Sequence, residues 1–467
     1  MFRALAHLLI LAIVAAIGGR ELAAFGVLMG TTGANTQIYD GAMKTVFENE
    51  IAEMVNNNFH WQSWFKPQKA EYYGQDTVYT AHVKRNVSPM WCGEDGAFAD
   101  AGAQQNIKVH VGQRKIMARV RLTSEVMHDT SKDIGAWKSA RKSEMSELIN
   151  DLARMEEYSF TSDGRGVLAL IDDASPNGAA LMGVDSPGGI TGDDFGNRFF
   201  LVDMFVAAVN PSTGEMRSGI RKVVACASDG TSVTFDSAPP ASWADNDYLV
   251  QAANSSVTSI VDTSYEQAAW GLTALFDDGT YRMNYFNVPR DLYPQYSAYV
   301  KSSTGALSED IIYQGADVID QKLGGTISTL TMHNSVRRVI NQFHLGDRRY
   351  ATESTLMAPD PGTRIVTQGQ ISFGGVPIEA IRTHPLAMIF GIDLKGCEPV
   401  RYVSEPGKWV DEDGRVLVRA GVGSSARDSF EAWYRKRYQN HVRRPGKAFR
   451  LDGITGQTLI VQREAGS

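Results

Sequence analysis

Residues 133–171 read DIGAWKSARKSEMSELINDLARMEEYSFTSDGRGVLALI. Trp137, Ala140, Met145, Leu148, Ile149, Leu152 and Met155 recur at three- and four-residue steps, one apolar stripe at the helical period. Asp133 is placed to cap the N-terminus of this helix, which is expected to run to Glu157. At about 1.5 Å per residue, roughly 24 residues make a rod of ~35 Å. The pattern breaks at Gly164 and Gly166, where residues without a Cβ permit a tight reversal.

On the N-terminal side, residues 77–84 (TVYTAHVK) and 107–122 (IKVHVGQRKIMARVRL) alternate apolar and polar side chains, as half-buried strands do. A long Gly/Ala-rich tip carrying Trp91 and Phe98 separates them. An isolated two-stranded ribbon is marginal in water, so this hairpin is expected to lie on something, and a partner subunit would serve. Further upstream, His60-Trp61, Trp64-Phe65 and Tyr72-Tyr73 surround Pro67, more rings than a loop normally exposes. They pin this arm either onto its own core or onto a neighbouring subunit. Residues 41–57 carry a helical period through Met43, Val46, Phe47, Ile51 and Met54. Residues 1–29 combine Arg3 with an apolar run from Leu8 to Ile17, the shape of a secretory signal, but the run is short for a membrane span. Met29 opens a polar stretch that would be an ordinary start, so the segment is read as signal-like or as an upstream extension and set apart from the fold.

On the C-terminal side, residues 199–261 change to short β runs (IRKVVACAS, TSVTFDS, DYLVQAA) between turns, a small all-β insertion. The helical period returns after Ser308 through Ile312, Ala316, Ile319 and Leu323, until Gly324-Gly325 stops it. A strand at 326–332, a helix at 334–344 and strands at 370–381 and 386–394 complete an α+β unit, and a hairpin-rich tail follows from Trp409 to the strand TLIVQRE. The fold class is therefore α+β.

The chain has 467 residues, 43% of them hydrophobic, enough for a large core in two to four subdomains. A net charge of −7 lacks the basic excess that phosphate neutralisation needs, so contact with nucleic acid is expected to be non-specific at most. Cys92, Cys226 and Cys397 are odd in number and far apart, neither a disulfide framework nor a zinc site, and a reducing cytoplasm is the simpler home. No P-loop, HExxH helix, GxSxG elbow or complete EF-hand loop is present. Residues 421–426 fit GxGxxA, yet the acidic residue and further βαβ units that a dinucleotide site requires are missing. Asp411-Glu412-Asp413-Gly414 is read as a hairpin turn rather than part of a calcium loop. Asp172-Asp173, Asp193-Asp194 and Asp277-Asp278 sit beside turn residues and are read as solvated turns, not catalytic dyads. Asn86 and Asn254 could accept sugars only in a secreted protein. Catalytic residues, cofactor-binding residues and metal ligands are thus all expected to be none. One charge asymmetry remains: Arg435, Lys436, Arg437, Arg443, Arg444, Lys447 and Arg450, interleaved with Trp433, Tyr434 and Tyr438. Such a cluster can contact nucleic acid, but in an acidic chain an inter-subunit electrostatic seam or a solvated strand face is the preferred reading.

The order of parts resembles the tailed-bacteriophage major capsid protein with the Hong Kong-type coat fold. SDGRGVLA (162–169) after a helix, TLTMHNSVRRVI (329–340), FGGVPIEAI (373–381) and RRPGKAFRLDGIT (443–455) look like phrases of that family, and the likeness covers roughly residues 35–461. The resemblance implies an N-terminal arm at 30–73, an extended loop at 74–123, a peripheral domain with its spine helix at 124–198, the all-β insertion at 199–261, an axial domain at 262–394 and the C-terminal part of the peripheral domain at 395–467. It implies a subunit that catalyses nothing and binds copies of itself as hexamers and pentamers, in a shell enclosing phage DNA, assembled in the host cytoplasm. A separate scaffolding protein, a portal and decoration proteins are the further partners implied. Trp61, Trp64, Phe65, Trp91, Phe98, Arg435, Arg437 and Arg443 become the candidate inter-subunit contacts. No lysine and asparagine pair can be assigned to cross-linking. The alternatives are an encapsulin-like nanocompartment shell, which shares the fold, a secreted β-rich surface or adhesion protein, and last a secreted hydrolase.

Overall fold

The computed structural model describes residues 64–69, 76–129, 140–343, 372–410, 415–420 and 427–455. The signal-like segment, the helix at 41–57, Trp61, Asp133, the strings at 411–414 and 421–426 and the final strand lie outside these residues.

One long strand, Ser429–Val442, organises the first sheet. Arg114–Thr123 pairs antiparallel with it, from Tyr438 opposite Arg114 to Ser429 opposite Thr123. Pro399–Trp409 and the short Val418–Arg419 also pair with it, and Lys66–Lys69 adds in parallel beside Pro399–Trp409, making five strands. The long helix, Ala140–Ser159, meets this sheet through charge rather than grease. Glu156 is fully buried, and its carboxylate accepts from Arg401 Nη1 at 3.0 Å and from Lys436 Nζ at 2.6 and 2.8 Å. The Arg401 guanidinium lies over the rings of Phe160 and Tyr438, at 4.7 and 4.6 Å. The expected apolar stripe is therefore only partly right. Leu152 is buried, whereas Ile149 and Met155 face outward and Arg154, Glu156 and Glu157 are the buried side chains. A buried charge must be paired, and the two cations on neighbouring strands turn the helix so that Glu156 faces them.

After the helix, Gly164 and Gly166 adopt φ of 79° and 73°, the left-handed region that the expected reversal requires. A Cβ on Gly166 would stand 2.1 Å from the Ser264 carbonyl oxygen. The chain enters a closed six-stranded barrel immediately, in the order Tyr248–Gln251, Val167–Ile171, Leu181–Asp185, Ser232–Phe235, Met216–Cys226 and Phe205–Val209. The β region thus begins at Val167 rather than at 199. Val167–Ile171 is buried at every residue, and such a strand carries no alternation to betray it.

The α+β unit is a six-stranded sheet in the order Tyr299–Lys301, Ala448–Leu451, Ile389–Ile392, Thr329–Met332, Val376–Ala380 and Ser372–Phe373. The helices Glu309–Leu323 and Asn334–Phe343 belong to it, with Ile312, Ile319, Val336 and Ile340 in one core with Leu330, Phe449 and Leu451. Gly324 closes the first helix at φ 62°, as the Gly-Gly stop predicts.

Two members of the expected solvated pairs are instead buried anchors. Asp277 is fully buried; one carboxylate oxygen accepts from Arg450 Nη2 at 3.0 Å and the other from the backbone N–H of Tyr281 and Arg282 at 2.9 and 2.8 Å. Arg450, expected on the surface, is also fully buried; it donates to the Thr273 and Phe276 carbonyls at 2.9 Å each and pairs with Asp452 at 2.9 Å. Asp193 is buried 3.3 Å from Arg198.

Removing Glu156 leaves Arg401 buried without its counter-charge, so Glu156→Ala is expected to cost about 3–5 kcal/mol in urea unfolding of the unassembled chain. The neighbouring, outward-facing Met155→Ala should stay within about 0.5 kcal/mol of wild type. Equal losses in the two variants would contradict the charge-paired helix.

Candidate functional site

The residues with most surface to offer a partner sit on a two-stranded ribbon. Asp76–Lys84 and Gln105–Gly112 pair antiparallel, with Asp76 opposite Gly112 at the base and Lys84 opposite Gln105 at the far end. The run expected as one strand over 107–122 divides at Gln113: its first half is ribbon, and its second half, Arg114–Thr123, belongs to the five-stranded sheet.

The ribbon's strands do not wait for a partner. Val109 and Val111 are fully buried in the core cluster that holds Phe65, Trp270 and Tyr285, with Tyr79, Ala81, Val83 and Ile107 packed beside them. Asn287 bridges to the ribbon through a bond from its Nδ2 to the Lys108 carbonyl at 3.0 Å and one from the His110 N–H at 2.8 Å. Near the far end Gln295 donates to the Val83 carbonyl at 3.3 Å. The expectation that the hairpin needs another subunit to lie on is therefore corrected for the strands and is left to concern the tip alone. Trp91 is 101% exposed and Phe98 92%, and Val87 and Met90 are exposed on the same tip.

The other candidates sit differently. Phe65 is buried, its ring 5.3 Å from that of Phe160, so it fastens the arm to its own core. Trp64 is half-buried against the same core, and its indole donates to Glu379. The basic cluster is largely compensated inside the chain. Arg435 lies 2.7 Å and Arg437 3.5 Å from Glu405, while Arg443 and Arg444 each lie 3.2 Å from Glu398. These acids are far from the cluster in sequence, and Arg437, Arg443 and Arg444 keep a solvated face, with 42%, 43% and 56% of their side chains exposed. Among the described residues no group of three or more His, Cys, Asp or Glu is placed to hold a metal, and no helix is long and apolar enough to cross a membrane.

No family model and no curated protein matches the sequence. Solved structures do. The structure is similar to the capsid asymmetric unit of cyanophage A-1(L), with a TM-score of 0.51 at 10% identity over 91% of this chain and 99% of that one. The chain has a phage capsid fold. Lower-scoring likenesses include the capsid of a native GTA particle (TM-score 0.47, 10% identity, 91% of this chain and 100% of that one) and Gordonia phage Cozz (0.45, 10%, 92% and 97%).

In this capsid fold the ribbon meets the body across a buried histidine. The His441 ring stacks on Tyr79 of the ribbon at 4.9 Å and lies 4.6 Å from Tyr402. Neither ring nitrogen has a hydrogen-bond partner among the described residues, and burial pushes its pKa down to about 4. Burial likewise takes His384 to about 4 and His333 to about 3. Each stays neutral in the fold and takes up a proton on unfolding, so each contributes stability above pH ~6.5 that is lost as pH falls toward the folded value. Asp163 acts oppositely, since burial raises it to about 6 against the pull of Arg165, and burial raises the carboxyls of Asp185, Glu379 and Asp452 as well.

In unfolding followed by tryptophan fluorescence, each histidine should withdraw at most about 1.4 kcal/mol of stability per pH unit between pH 6.5 and its folded value, with the raised carboxyls working against the loss. His441→Phe keeps a ring between the two tyrosines and removes one protonation, so its loss on acidification should be smaller. The same change in stability between pH 7 and 4.5 in wild type and His441→Phe would contradict this assignment.

Proposed function

We propose that this chain is the major coat protein of a tailed bacteriophage, assembling with copies of itself as hexamers and pentamers into a closed head that encloses DNA. The observation that carries the reading is the ribbon tip. Two large aromatic rings, Trp91 and Phe98, are held in solvent on a ribbon whose strands are fixed to the body. A monomer gains nothing by that placement, whereas surface apolar groups of this size mark protein contacts. The phage capsid fold supports the same reading.

On this reading the segment around Lys66–Lys69 ends an N-terminal arm, the ribbon is the extended loop, and the long helix with the five-stranded sheet forms the peripheral domain. The six-stranded sheet is the core of the axial domain, and the barrel is an insertion that elaborates the subunit. The role is structural rather than catalytic. Further partners of the shell would be a separate scaffolding protein, a portal and decoration proteins; the product is a virion component, built in the host cytoplasm. Packaged DNA would meet it without sequence preference.

Purified chain examined by sedimentation velocity and negative-stain microscopy, with and without a crowding agent and the scaffold gene product, should form closed particles. Trp91→Ser with Phe98→Ser should keep the unfolding midpoint of the wild-type monomer and lose the particles. Monodisperse monomers of the wild-type chain under every condition would overturn the reading. Particles that co-purify with an enzyme cargo rather than accepting DNA would favour a nanocompartment.

A further inference from the structure

At the base of the ribbon lies a cleft of about 710 Å³ whose lining is positive, in a chain of net charge −7. Arg114, Lys115 and Arg437 contribute the cations, and Asp76, 3.7 Å from His110, the acid. Arg437 shares Glu405 with Arg435. Arg114 has no ion pair or hydrogen bond from its side chain among the described residues, although it is half-buried. Burial lowers its pKa, and Glu266 works against that only at a distance. One wall is aromatic: Trp270 and Phe286 stack at 4.2 Å with 9° between their planes. Phe286 holds its place at φ 52°, a conformation that bulky side chains rarely adopt. The cleft is thus built for an anionic group that also carries an apolar ring.

The same chain displays such a group. Tip residues 93–100 read GEDGAFAD: Glu94, Asp95 and Asp100 are exposed with no basic residue among them, and Phe98 stands between. This tip stands away from its own cleft. The cleft adjoins the Asp76–Gly112 end of the ribbon and the tip leaves from the Lys84–Gln105 end, about 25–30 Å away for strands of this length. The strands between are held down by Val109, Val111, Asn287 and Gln295.

We infer that the acidic tip of one copy docks in the cationic cleft of a second copy, with Glu94, Asp95 and Asp100 facing Arg114, Lys115 and Arg437, and Phe98 against the Trp270–Phe286 pair. The inference rests on the shell reading and names which surfaces of two copies meet. Tip and cleft are different surfaces at opposite ends of one rigid element, so the contact is head-to-tail. Contacts of that kind close into rings when the rotation between copies allows. Being charged, it should also weaken with salt.

Charge reversal tests it. A tip variant (Glu94→Lys, Asp95→Lys, Asp100→Lys) and a cleft variant (Arg114→Glu, Lys115→Glu) should each raise the concentration needed for particle formation by ~10-fold or more. A chain carrying all five substitutions restores opposite charges across the contact and should recover assembly; an equal mixture of the two single-surface variants can alternate around a six-membered ring but not a five-membered one, so it should recover assembly only in part. Thermal melts of the monomers check folding, and Arg114→Gln gives a milder cleft lesion should the reversal unfold. Wild-type particles with both variants assembling normally would overturn the docking and leave the shell reading intact, whereas failure of wild type itself would sink that reading. Binding of a labelled oligonucleotide that the cleft variant alone abolishes, without loss of assembly, would overturn docking in favour of a phosphate ligand.

Discussion

The carboxylate of Glu156, fully buried between Arg401 and Lys436, holds the long helix to the strands that carry those cations. Its partners sit on Pro399–Trp409 and Ser429–Val442, the two longest strands of the five-stranded sheet. Ser429–Val442 in turn pairs with Arg114–Thr123, which follows the ribbon directly in the chain. A carboxylate in this position costs much unless both cations are present, so helix, sheet and ribbon base are fixed together or not at all. Arg450 does the same for the α+β unit, joining the end of the Leu272–Leu275 helix to Ala448–Leu451.

These buried pairs decide what is left for the outside. Glu156, Glu398, Glu405, Asp277 and Asp452 between them take up most of the C-terminal basic cluster. Several of these acids are shared by two cations, so the cluster keeps part of its positive charge, on exposed Arg443 and Arg444 and on Arg437 at the base of the ribbon. The body is satisfied by itself, while the ribbon offers rings and carboxylates at one end and cations with an aromatic wall at the other.

Much of this was legible in the residues. The helix expected over 133–157 is described as Ala140–Ser159, and the Gly164 and Gly166 reversal and the Gly-Gly stop appear where the patterns place them, whereas the one strand expected over 370–381 is two antiparallel strands, Ser372–Phe373 and Val376–Ala380, turned by Gly374 and Gly375 at φ 56° and 83°. The start of the barrel was hidden, because a strand buried on both faces shows a plain apolar run. The division at Gln113 did leave a trace: apolar positions are odd through Ile107, Val109 and Val111 and even through Ile116, Ala118, Val120 and Leu122. A change of parity means a change of face. What no local pattern could reveal is the pairing of Lys436 with Glu156, or of Arg450 with Asp277, since each joins residues far apart in sequence. Exposed Trp91 and Phe98 are the reverse case, because a Gly/Ala-rich tip, with Val87 and Met90 its other large apolar residues, offers too little apolar surface to cover a ring.

The division between a self-sufficient body and a tip that only a sister copy can cover is open to direct measurement by amide hydrogen exchange on the free subunit and on assembled particles. Amides of residues 85–104 should exchange rapidly in the free subunit and become protected in the particle, while those of Ser429–Val442 are slow in both. Equal protection of 85–104 in the two states, whether fast or slow, would contradict it.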